Sequence, residues 1–274
     1  MQPVETAYAK LNLALHMRGR RADGYHEIET LFAFAEDGDR LALAEQGLSL
    51  TGPFGGALGD GTDNLIVRAA DAYRARFGGA EAGFRLDKKL PIAAGLGGGS
   101  ADAAAALRLL CARDGRDPLA SEMIALAAGL GADVPACLAS TLSRGVGRGD
   151  EIVAATGDVA GLPVLLVNPM VAMPTGPVFK AWDQVDRGAL DEGDALAASF
   201  AGRNDLEAPA IGIAPVVGDV LAVLRAQDGV RLARMSGSGA TCFALFRDVA
   251  ALAAGDRAIA ADHPGWWRMA TRLR

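Results

Sequence analysis

Hydrophobic and polar residues alternate strictly in the segment KLNLALHM, residues 10–17. This period of two predicts a half-buried β-strand. The apolar face of the strand is formed by Leu11, Leu13, Leu15 and Met17. The opposite face is formed by Lys10, Asn12, Ala14 and His16. Lys10 and Asn12 therefore project to the same side of the strand.

Further strands and one helix are predicted in the rest of the first ninety residues. A turn at Asp23-Gly24 is followed by two runs typical of strands, HEIETLFAFA and DRLALAE. The helix covers NLIVRAADAYRARFG, with Asp63 as its predicted N-cap and Gly78 as its C-terminal stop. This part of the chain is therefore mainly β.

A glycine-rich loop in residues 91–110, PIAAGLGGGSADAAAALRLL, leads directly into an alanine-rich helix whose predicted N-cap is Ser100. The N–H groups at a helix start and the positive end of its dipole bind anions, so the loop predicts a phosphate site. A Walker loop is excluded because no lysine follows Gly99. A Rossmann fingerprint is excluded because Ser100 occupies its third glycine position. A glycine turn before a helix is the structural alternative.

Helices and turns dominate the next segment. DPLASEMIALAAGLGADVPACLA predicts a helix that ends at Gly129 or Gly131, and Asp133 then begins a short helical turn through Pro135. A hairpin over TLSRGVGRGDEIVAA precedes a shift of composition at TGDVAGLP. We place the domain boundary at this shift, with one domain over 1–156 and a second over 157–274.

The second predicted domain begins with a buried strand, PVLLVNP. Helices over PVFKAWDQV and PVVGDVLAVLRAQ, strands RLARM and TCFALF, a helix over DVAALAAGDRAIAA and a strand in WWRMATRL follow. Because these elements do not form a long β-α-β-α series, the sequence predicts an α+β fold with two layers in each half.

Composition narrows the class of protein. The 274 residues are 51% hydrophobic and 22% charged, which is typical of a compact chain with a sizeable core. A net charge of −6 argues against a nucleic-acid surface. We expect a cytoplasmic protein without a membrane span, because apolar runs are short and the N terminus lacks the pattern of a signal peptide. Three scattered cysteines, Cys111, Cys137 and Cys242, predict buried reduced thiols.

Several polar residues are weak signals when each is taken alone. Asp133 is typical of the N-cap of the turn that contains Pro135. Lys88 and Lys89 lie just before the glycine loop and either help to hold an anion or are solvated surface side chains. The glycines of the run SGSG, residues 236–239, form either a nest of N–H groups or a tight turn between two strands.

Five ordered blocks together resemble the GHMP kinases, which are named for galactose, homoserine, mevalonate and phosphomevalonate. The blocks are AKLNLALHMRGRRADGYHEIETLF, DNLIVRAA, LPIAAGLGGGSADAA, GADVPAC and SGSGATCFALF. The first block, with its ADGYHE segment, is most similar to the 4-diphosphocytidyl-2-C-methyl-D-erythritol kinase family within that superfamily.

The resemblance implies a two-domain α+β GHMP kinase fold. Its N-terminal domain is similar to the second domain of ribosomal protein S5, its C-terminal domain is ferredoxin-like, and the active site is expected in a cleft between them. The implied partners are ATP and a small-molecule substrate, 4-diphosphocytidyl-2-C-methyl-D-erythritol, whose 2-hydroxyl is phosphorylated in the non-mevalonate route to isoprenoid precursors. A monomer or homodimer is expected, with no nucleic acid and no membrane.

The resemblance also implies roles for individual residues. Lys10 and Asp133 are the implied catalytic residues, with Asp133 as the base. The implied ATP-binding residues are Asn64, Leu65, Lys88, Pro91, Ile92, Ala93, Ala94, Gly95, Leu96, Gly97, Gly98, Gly99, Ser100 and Ala101. The implied substrate-binding residues are Asn12, Tyr25, His26, Thr175 and Phe179. A phosphate-side loop is implied at Gly237, Ser238 and Gly239.

Two departures from the family pattern and two alternatives accompany this interpretation. Tyr8 stands where the family usually has proline, and Ala101 stands where it often has a second serine.

No acidic residue is an obvious metal ligand, so Mg²⁺ is expected from ATP chemistry alone. The alternatives are another GHMP kinase, acting on homoserine, mevalonate or a sugar, and a non-catalytic nucleotide-binding protein on the same fold.

Overall fold

The computed structural model describes residues 3–59 and 61–274, which cluster into two compact units. The first unit contains residues up to Lys10, Asp37–Ile92 and Gly97–Ser140. The second contains Leu11–Glu36, Ala93–Leu96 and Thr141–Arg274. The two long N-terminal strands and the glycine-rich loop contribute residues to both units. The predicted boundary at residue 156 stays a prediction.

The elements up to residue 140 are two long strands, two short strands and a group of helices. They are β1 (Val4–Arg20), β2 (His26–Ala44), β3 (Leu48–Thr51), α1 (Leu65–Phe77), β4 (Gly83–Asp87), α2 (Gly98–Asp114), α3 (Ser121–Leu130) and α4 (Val134–Ala139). β1 pairs with β2. Within the first unit, the end of β2 pairs antiparallel with β4, and β4 pairs in parallel with β3. The alanine-rich α2 is buried along most of its length.

The remaining elements belong to the second unit. They are β5 (Ser143–Val146), β6 (Glu151–Ala154), β7 (Pro163–Asn168), α5 (Thr175–Lys180), α6 (Ala195–Ala201), α7 (Glu207–Ile213), α8 (Val216–Arg225), β8 (Val230–Met235), β9 (Cys242–Phe246), α9 (Val249–Asp262) and β10 (Trp267–Arg272). The last four strands form an antiparallel sheet in the order β10-β7-β9-β8. β5 pairs antiparallel with both β2 and β6. The fold is α+β, as the sequence predicts.

Many predicted elements are confirmed. Gly78 ends α1 with φ +74°, and the hairpin β5–β6, the buried strand β7, helices α8 and α9 and strands β8 to β10 lie where the pattern places them. The cysteines are buried free thiols. In the described residues, no helix is long and apolar enough to cross a membrane. Helices α6 and α7 were not predicted, because each is only seven residues long.

The prediction of a half-buried first strand is wrong, because β1 is buried on both faces over residues 9–17. Its polar residues are buried with polar partners: the side-chain amide of Asn12 donates to Thr30 Oγ1 at 2.7 Å, and the ring of His16 accepts the N–H of Arg203 at 3.2 Å. Burial of a polar group is tolerated when it is hydrogen-bonded. The alternation of hydrophobic and polar residues therefore predicted the strand, but it did not predict that the polar face would be buried as well.

The two strands predicted after the first turn are one continuous strand, β2. Residues 36–38 lie between the two predicted strands, but β2 continues through them. Gly38 lies so close to β1 that a Cβ there would be 1.9 Å from the carbonyl oxygen of Ala7. Asp39 is buried and accepts backbone N–H groups from Lys89 and Leu90. These tertiary contacts bury Gly38 and Asp39, whereas Glu36 and Asp37 are exposed.

Both predicted N-caps of the early helices are wrong by one to three residues. Asn64, not Asp63, caps α1, and its side chain accepts the N–H of Ile66 at 3.0 Å. α2 begins at Gly98, and its N-cap position is Gly97 with φ +62°. Only glycine adopts this left-handed conformation at little cost, so the helix starts earlier than Ser100. The helix predicted over PVFKAWDQV is also shorter, ending at Lys180.

Candidate active site

The side chains of Lys10 and Asp133 form an ion pair in the first unit, with Lys10 Nζ 3.0 Å from Asp133 Oδ2. The side chain of Lys10 is 5% exposed, whereas that of Asp133 is 37% exposed. Asp133 occupies the N-cap position of α4, but its side chain makes no capping hydrogen bond. The structural role expected of a lone aspartate is therefore not the one its carboxylate performs. A buried cation beside a partly exposed carboxylate is an arrangement suited to acid–base chemistry.

Lys10 packs directly against the start of α2. A Cβ at Gly97 would lie 3.0 Å from Lys10 Cε and 3.3 Å from its Cβ, so the lysine stem occupies the space that a side chain would need. Glycine at this position therefore serves two purposes, the left-handed conformation and the approach of the lysine. Cys137 of α4 lies in the same surroundings, and burial together with the charge of Asp133 raises the pKa of its thiol to about 12. The thiol is thus an inert neighbour of the pair.

The N terminus of α2 is open to an anion. No side chain of the residues that the structure describes caps this end. Gly99 is exposed, and Gly98 and Ser100 are half-buried, so the first-turn N–H groups lie near the surface. Ala101 is buried in the helix. An uncapped helix start of this kind favours a phosphate group.

Asn64 and Leu65 lie beside this helix start. A Cβ at Gly99 would lie 3.4 Å from Leu65 Cδ1, which places the leucine against the first turn of α2. The side chain of Asn64 caps α1 and donates to the carbonyl oxygen of Gly59 at 2.9 Å. Of these two predicted ATP-binding residues, the structure brings Leu65 to the loop and gives Asn64 a structural contact.

Of the loop residues before the helix, Pro91, Ala94 and Leu96 are buried, whereas Ile92 and Ala93 are exposed.

The carbonyl oxygen of Gly95 accepts a hydrogen bond from Ser236 Oγ at 2.9 Å. Ser236 Oγ in turn accepts the N–H of Asn12 at 3.2 Å. A Cβ at Gly95 would lie 2.4 Å from the carbonyl oxygen of Ser236, so only glycine fits here. Ser236, the first residue of the run SGSG, therefore helps to shape the glycine loop.

Ser236 was not predicted as a site residue, although it lies in the block SGSGATCFALF. A serine beside paired glycines was the available signal, but the pattern did not show which of the two buried serines bonds to the glycine loop. The second one, Ser238, donates to Thr175 Oγ1 at 3.1 Å. The structure thus brings together Thr175 and Ser238, which were predicted separately.

Aromatic side chains surround His26 in the second unit. Its ring centroid lies 5.3 Å from that of Phe179 and 5.9 Å from that of Trp182. Burial, aided by the charge of Arg20, lowers the pKa of His26, so the imidazole is neutral at pH 7. Trp182 was not predicted, although it follows Phe179 by three residues and so shares its side of the chain.

Tyr25, the neighbour of His26, is 58% exposed, and the guanidinium of Arg148 lies 5.1 Å from its ring centroid. An exposed aromatic face beside a cation and a neutral imidazole suits a planar polar ligand such as a nucleobase. The structure thus brings the rings of Phe179 and Trp182 to His26, and Tyr25 precedes His26 in the chain.

Lys88 is buried, so of its two alternatives the solvated surface side chain is wrong. Its ammonium lies 2.6 Å from a carboxylate oxygen of Asp39 and 2.6 Å from one of Asp102. Burial acts to lower the pKa of Lys88, but the two carboxylates outweigh it and raise the pKa. Neither acidic partner was predicted. Lys89 has the exposure expected of a surface lysine.

Among the described residues, no cluster of three histidine, cysteine or acidic side chains could hold a metal ion.

Comparison with known proteins places these features in a family. The family model for the GHMP kinases N terminal domain matches residues 64–141, and the model for the GHMP kinases C terminal domain matches residues 183–261. A 4-diphosphocytidyl-2-C-methyl-D-erythritol kinase from Rhizorhabdus wittichii is 61% identical over 282 residues, covering 100% of this chain and 96% of the relative. The chain belongs to the 4-diphosphocytidyl-2-C-methyl-D-erythritol kinases, a branch of the GHMP kinases.

Two further comparisons agree with this membership. The kinase of the same name from Novosphingobium aromaticivorans is 52% identical, covering 98% of this chain and 92% of the relative. A crystal structure of a 4-(cytidine 5'-diphospho)-2C-methyl-D-erythritol kinase matches with a TM-score of 0.81 at 33% identity and covers 99% of both chains. The two-domain GHMP kinase fold is thereby confirmed, and with it the kinase class of the enzyme.

Proposed function

We propose that this GHMP kinase transfers a phosphoryl group from ATP to the 2-hydroxyl of 4-diphosphocytidyl-2-C-methyl-D-erythritol, with Lys10 and Asp133 at the reacting atoms. The observation that supports the residue assignment is the Lys10–Asp133 ion pair, whose lysine packs against the uncapped start of α2. Family membership supports the substrate and the reaction.

Asp133 acts as the base in this proposal. As the bond forms between the substrate's 2-oxygen and the terminal phosphorus, the bond from that phosphorus to the bridging oxygen breaks, and ADP leaves. The hydroxyl proton passes to the exposed carboxylate of Asp133. The Lys10 ammonium stabilises negative charge on the oxygens around the transferred group. General base catalysis contributes about 10²–10⁴ in rate, or roughly 3–5 kcal/mol of barrier.

The glycine loop and α2 hold the triphosphate. N–H groups of Gly98, Gly99 and Ser100 at the helix start are the proposed donors, and Leu65 packs beside them. Ser100 is the hydroxyl at this position that we expect to approach Mg²⁺, since Ala101 has none. Mg²⁺ bound with ATP neutralises phosphate charge during transfer.

Aromatic and polar residues of the second unit select the substrate in this proposal. Tyr25 and Phe179 offer ring faces to the cytosine, and the neutral ring of His26 bonds to its polar edge. Thr175, which is bonded to Ser238, contacts the diphosphate. Asn12, whose amide is fixed by Thr30, contacts the erythritol.

The alternatives are less well supported. Another GHMP kinase activity is disfavoured by the names of relatives up to 61% identical. A non-catalytic binding protein would not need a buried lysine paired with a partly exposed aspartate. A cytoplasmic location and the choice between monomer and homodimer stay predictions.

Replacement of Asp133 by asparagine tests the catalytic assignment. We expect Asp133→Asn to bind ATP within about threefold of wild type, because the nucleotide donors lie on α2, and to lose about 10²–10⁴ in kcat because the base is gone. The control is Asp158→Asn, a change at an exposed aspartate. Nucleotide affinity by calorimetry and turnover by a coupled ADP assay give the two readouts. Wild-type turnover in Asp133→Asn removes Asp133 from the base role.

A further inference from the structure

A second charge cluster is buried in the first unit. We call it the buried charge cluster; it consists of Asp39, Lys88 and Asp102. The side chains of these residues are 0%, 2% and 5% exposed, and Lys88 Nζ lies 2.6 Å from each carboxylate. Burying three charged groups costs several kcal/mol per ion unless the groups are closely paired. A cluster of this kind makes the relative position of its three backbone segments difficult to change.

The three segments are those that frame the glycine loop. Asp39 lies in β2 and accepts the N–H groups of Lys89 at 2.6 Å and Leu90 at 2.8 Å, the two residues before the loop. Asp102 lies in the second turn of α2, just after the loop. Lys88, which follows β4, bonds to both aspartates. The cluster therefore fixes where the loop starts and where the helix after it begins.

Contact between the cluster and the helix start is direct. A Cβ at Gly98, the first residue of α2, would lie 3.1 Å from Lys88 Nζ and 3.9 Å from Asp39 Oδ2. The ammonium is thus packed against the backbone that we propose as the phosphate donor, and its hydrogen bonds to two carboxylates orient it toward them. This geometry favours a role that acts through the backbone over contact of Lys88 with the nucleotide.

We propose that Lys88 and Asp102 are positioning residues, which hold the first turn of α2 in the orientation that presents its N–H groups to the phosphates of ATP. The inference rests on the proposed role of the loop in binding ATP. Asp102 Oδ1 is buried without a hydrogen-bond partner in the part of the chain that the structure describes. The carboxylate therefore acts through its other oxygen, on Lys88.

Removal of the Asp102 carboxylate changes ATP affinity in opposite directions in the two cases, a positioning role and a purely electrostatic one. Asp102 is an anion near an anion site. If its charge alone influenced ATP, its removal would relieve repulsion and strengthen binding. If Asp102 holds the helix start through Lys88, its removal weakens binding instead.

The experiment measures ATP affinity by calorimetry on the full chain at pH 8, above the value of about 7 to which burial raises the pKa of Asp102. We expect Asp102→Ala to weaken ATP binding about tenfold, or roughly 1.4 kcal/mol. Asp102→Asn keeps an acceptor for Lys88, so its loss is expected to be about threefold or less. The control is Lys89→Met, at an exposed neighbour whose backbone contact survives, and it is expected to stay within twofold. Unchanged or tighter binding by Asp102→Ala overturns the proposal.

A double-mutant cycle tests the pathway through Lys88. If Lys88 acts through Asp102, the double variant that carries both Lys88→Met and Asp102→Ala binds ATP as tightly as the single variant Lys88→Met. If Lys88 contacts the nucleotide itself, the two changes act independently, and such additivity contradicts the proposal. Should Lys88→Met fail to fold, the comparison of Asp102→Ala with Asp102→Asn still decides. Wild-type chain that does not bind ATP would instead refute the proposed function.

Discussion

At the scale of single residues, Lys10 and Gly97 form one unit of structure. Glycine at position 97 adopts φ +62° at little cost, and its lack of a side chain leaves room for the stem of Lys10. A substitution at Gly97 therefore affects both the backbone and the proposed catalytic cation.

Gly97→Ala is expected to lower kcat at least tenfold, because the new methyl group would lie 3.0 Å from Lys10 Cε and displace the ammonium. The matched control is Gly115→Ala at the other end of α2, where φ is +65° and a new methyl group would meet no packed neighbour within 4 Å among the described residues. Both changes cost about 1–2 kcal/mol of stability from backbone strain. Steady-state kinetics and urea unfolding of the two variants check this. Equal kcat values for the two variants would refute the coupling.

The ring of Phe179 is expected to matter for one substrate only. Phe179→Leu should raise the KM of the cytidyl substrate about three- to tenfold, since an aromatic pair contributes roughly 0.5–1.5 kcal/mol beyond buried area. The KM of ATP should stay unchanged. Phe200→Leu, at another half-buried aromatic residue of the second unit, is the control. A rise in the KM of ATP in Phe179→Leu, or a similar effect in Phe200→Leu, would argue against stacking on cytosine.

Sequence patterns predicted residue types at the site better than they predicted contacts. The resemblance pointed to Lys10 and Asp133, and the structure pairs them. The partners of Lys88 were not predictable, because Asp39 lies 49 residues away at the start of a separately predicted strand. Trp182 lay in the predicted helix PVFKAWDQV, and nothing in that pattern indicated its contact with His26. In each case the missing information was a long-range contact, which no local pattern contains.

At the scale of elements, β1 and β2 are longer and more deeply buried than their patterns indicate. Local alternation predicts which side chains share a face, but burial of the second face depends on what packs there. Helix starts show the same limit. Ser100 is a good N-cap by residue type, yet α2 begins earlier because Gly97 adopts a left-handed conformation. The sequence was sufficient to predict that these strands and helices exist, whereas the residues at which they begin and end depend on tertiary contacts.

His16 connects β1 to two segments of the second unit. One ring nitrogen lies 3.1 Å from the carbonyl oxygen of Gly188, and the other accepts the N–H of Arg203 at 3.2 Å. Only a neutral ring can donate one hydrogen bond and accept the other. Burial, followed by the charge of Arg203, lowers the pKa of His16 accordingly.

Stability should therefore fall in mild acid. Because the folded pKa of His16 lies below the unfolded value of 6.5, the unfolded chain binds a proton first, and the stabilisation is lost as pH falls from 6.5 through the folded pKa. We expect His16→Gln to be less stable than wild type at pH 7.5 but to lose less stability between pH 7.5 and 5.5. Urea unfolding at both pH values measures this, with His263→Gln as control. An identical pH dependence in wild type and His16→Gln would contradict it.

At the scale of the whole molecule, family membership and fold agree along the full chain. The relative from Rhizorhabdus wittichii covers all of this chain, and the 33% identical crystal structure covers 99% of it. The α+β class was predictable from the order of elements, but the GHMP fold itself followed from the five sequence blocks. Periodicity alone does not distinguish one arrangement of such elements from another.

The central claim is that this chain phosphorylates the 2-hydroxyl of 4-diphosphocytidyl-2-C-methyl-D-erythritol. The most direct measurement incubates the purified protein with ATP and Mg²⁺ and with the cytidyl substrate, homoserine or mevalonate in turn, and follows the products by phosphorus NMR. We predict ADP and a new phosphomonoester resonance with the cytidyl substrate alone. Equal or faster phosphorylation of a substrate that lacks cytidine would contradict the account.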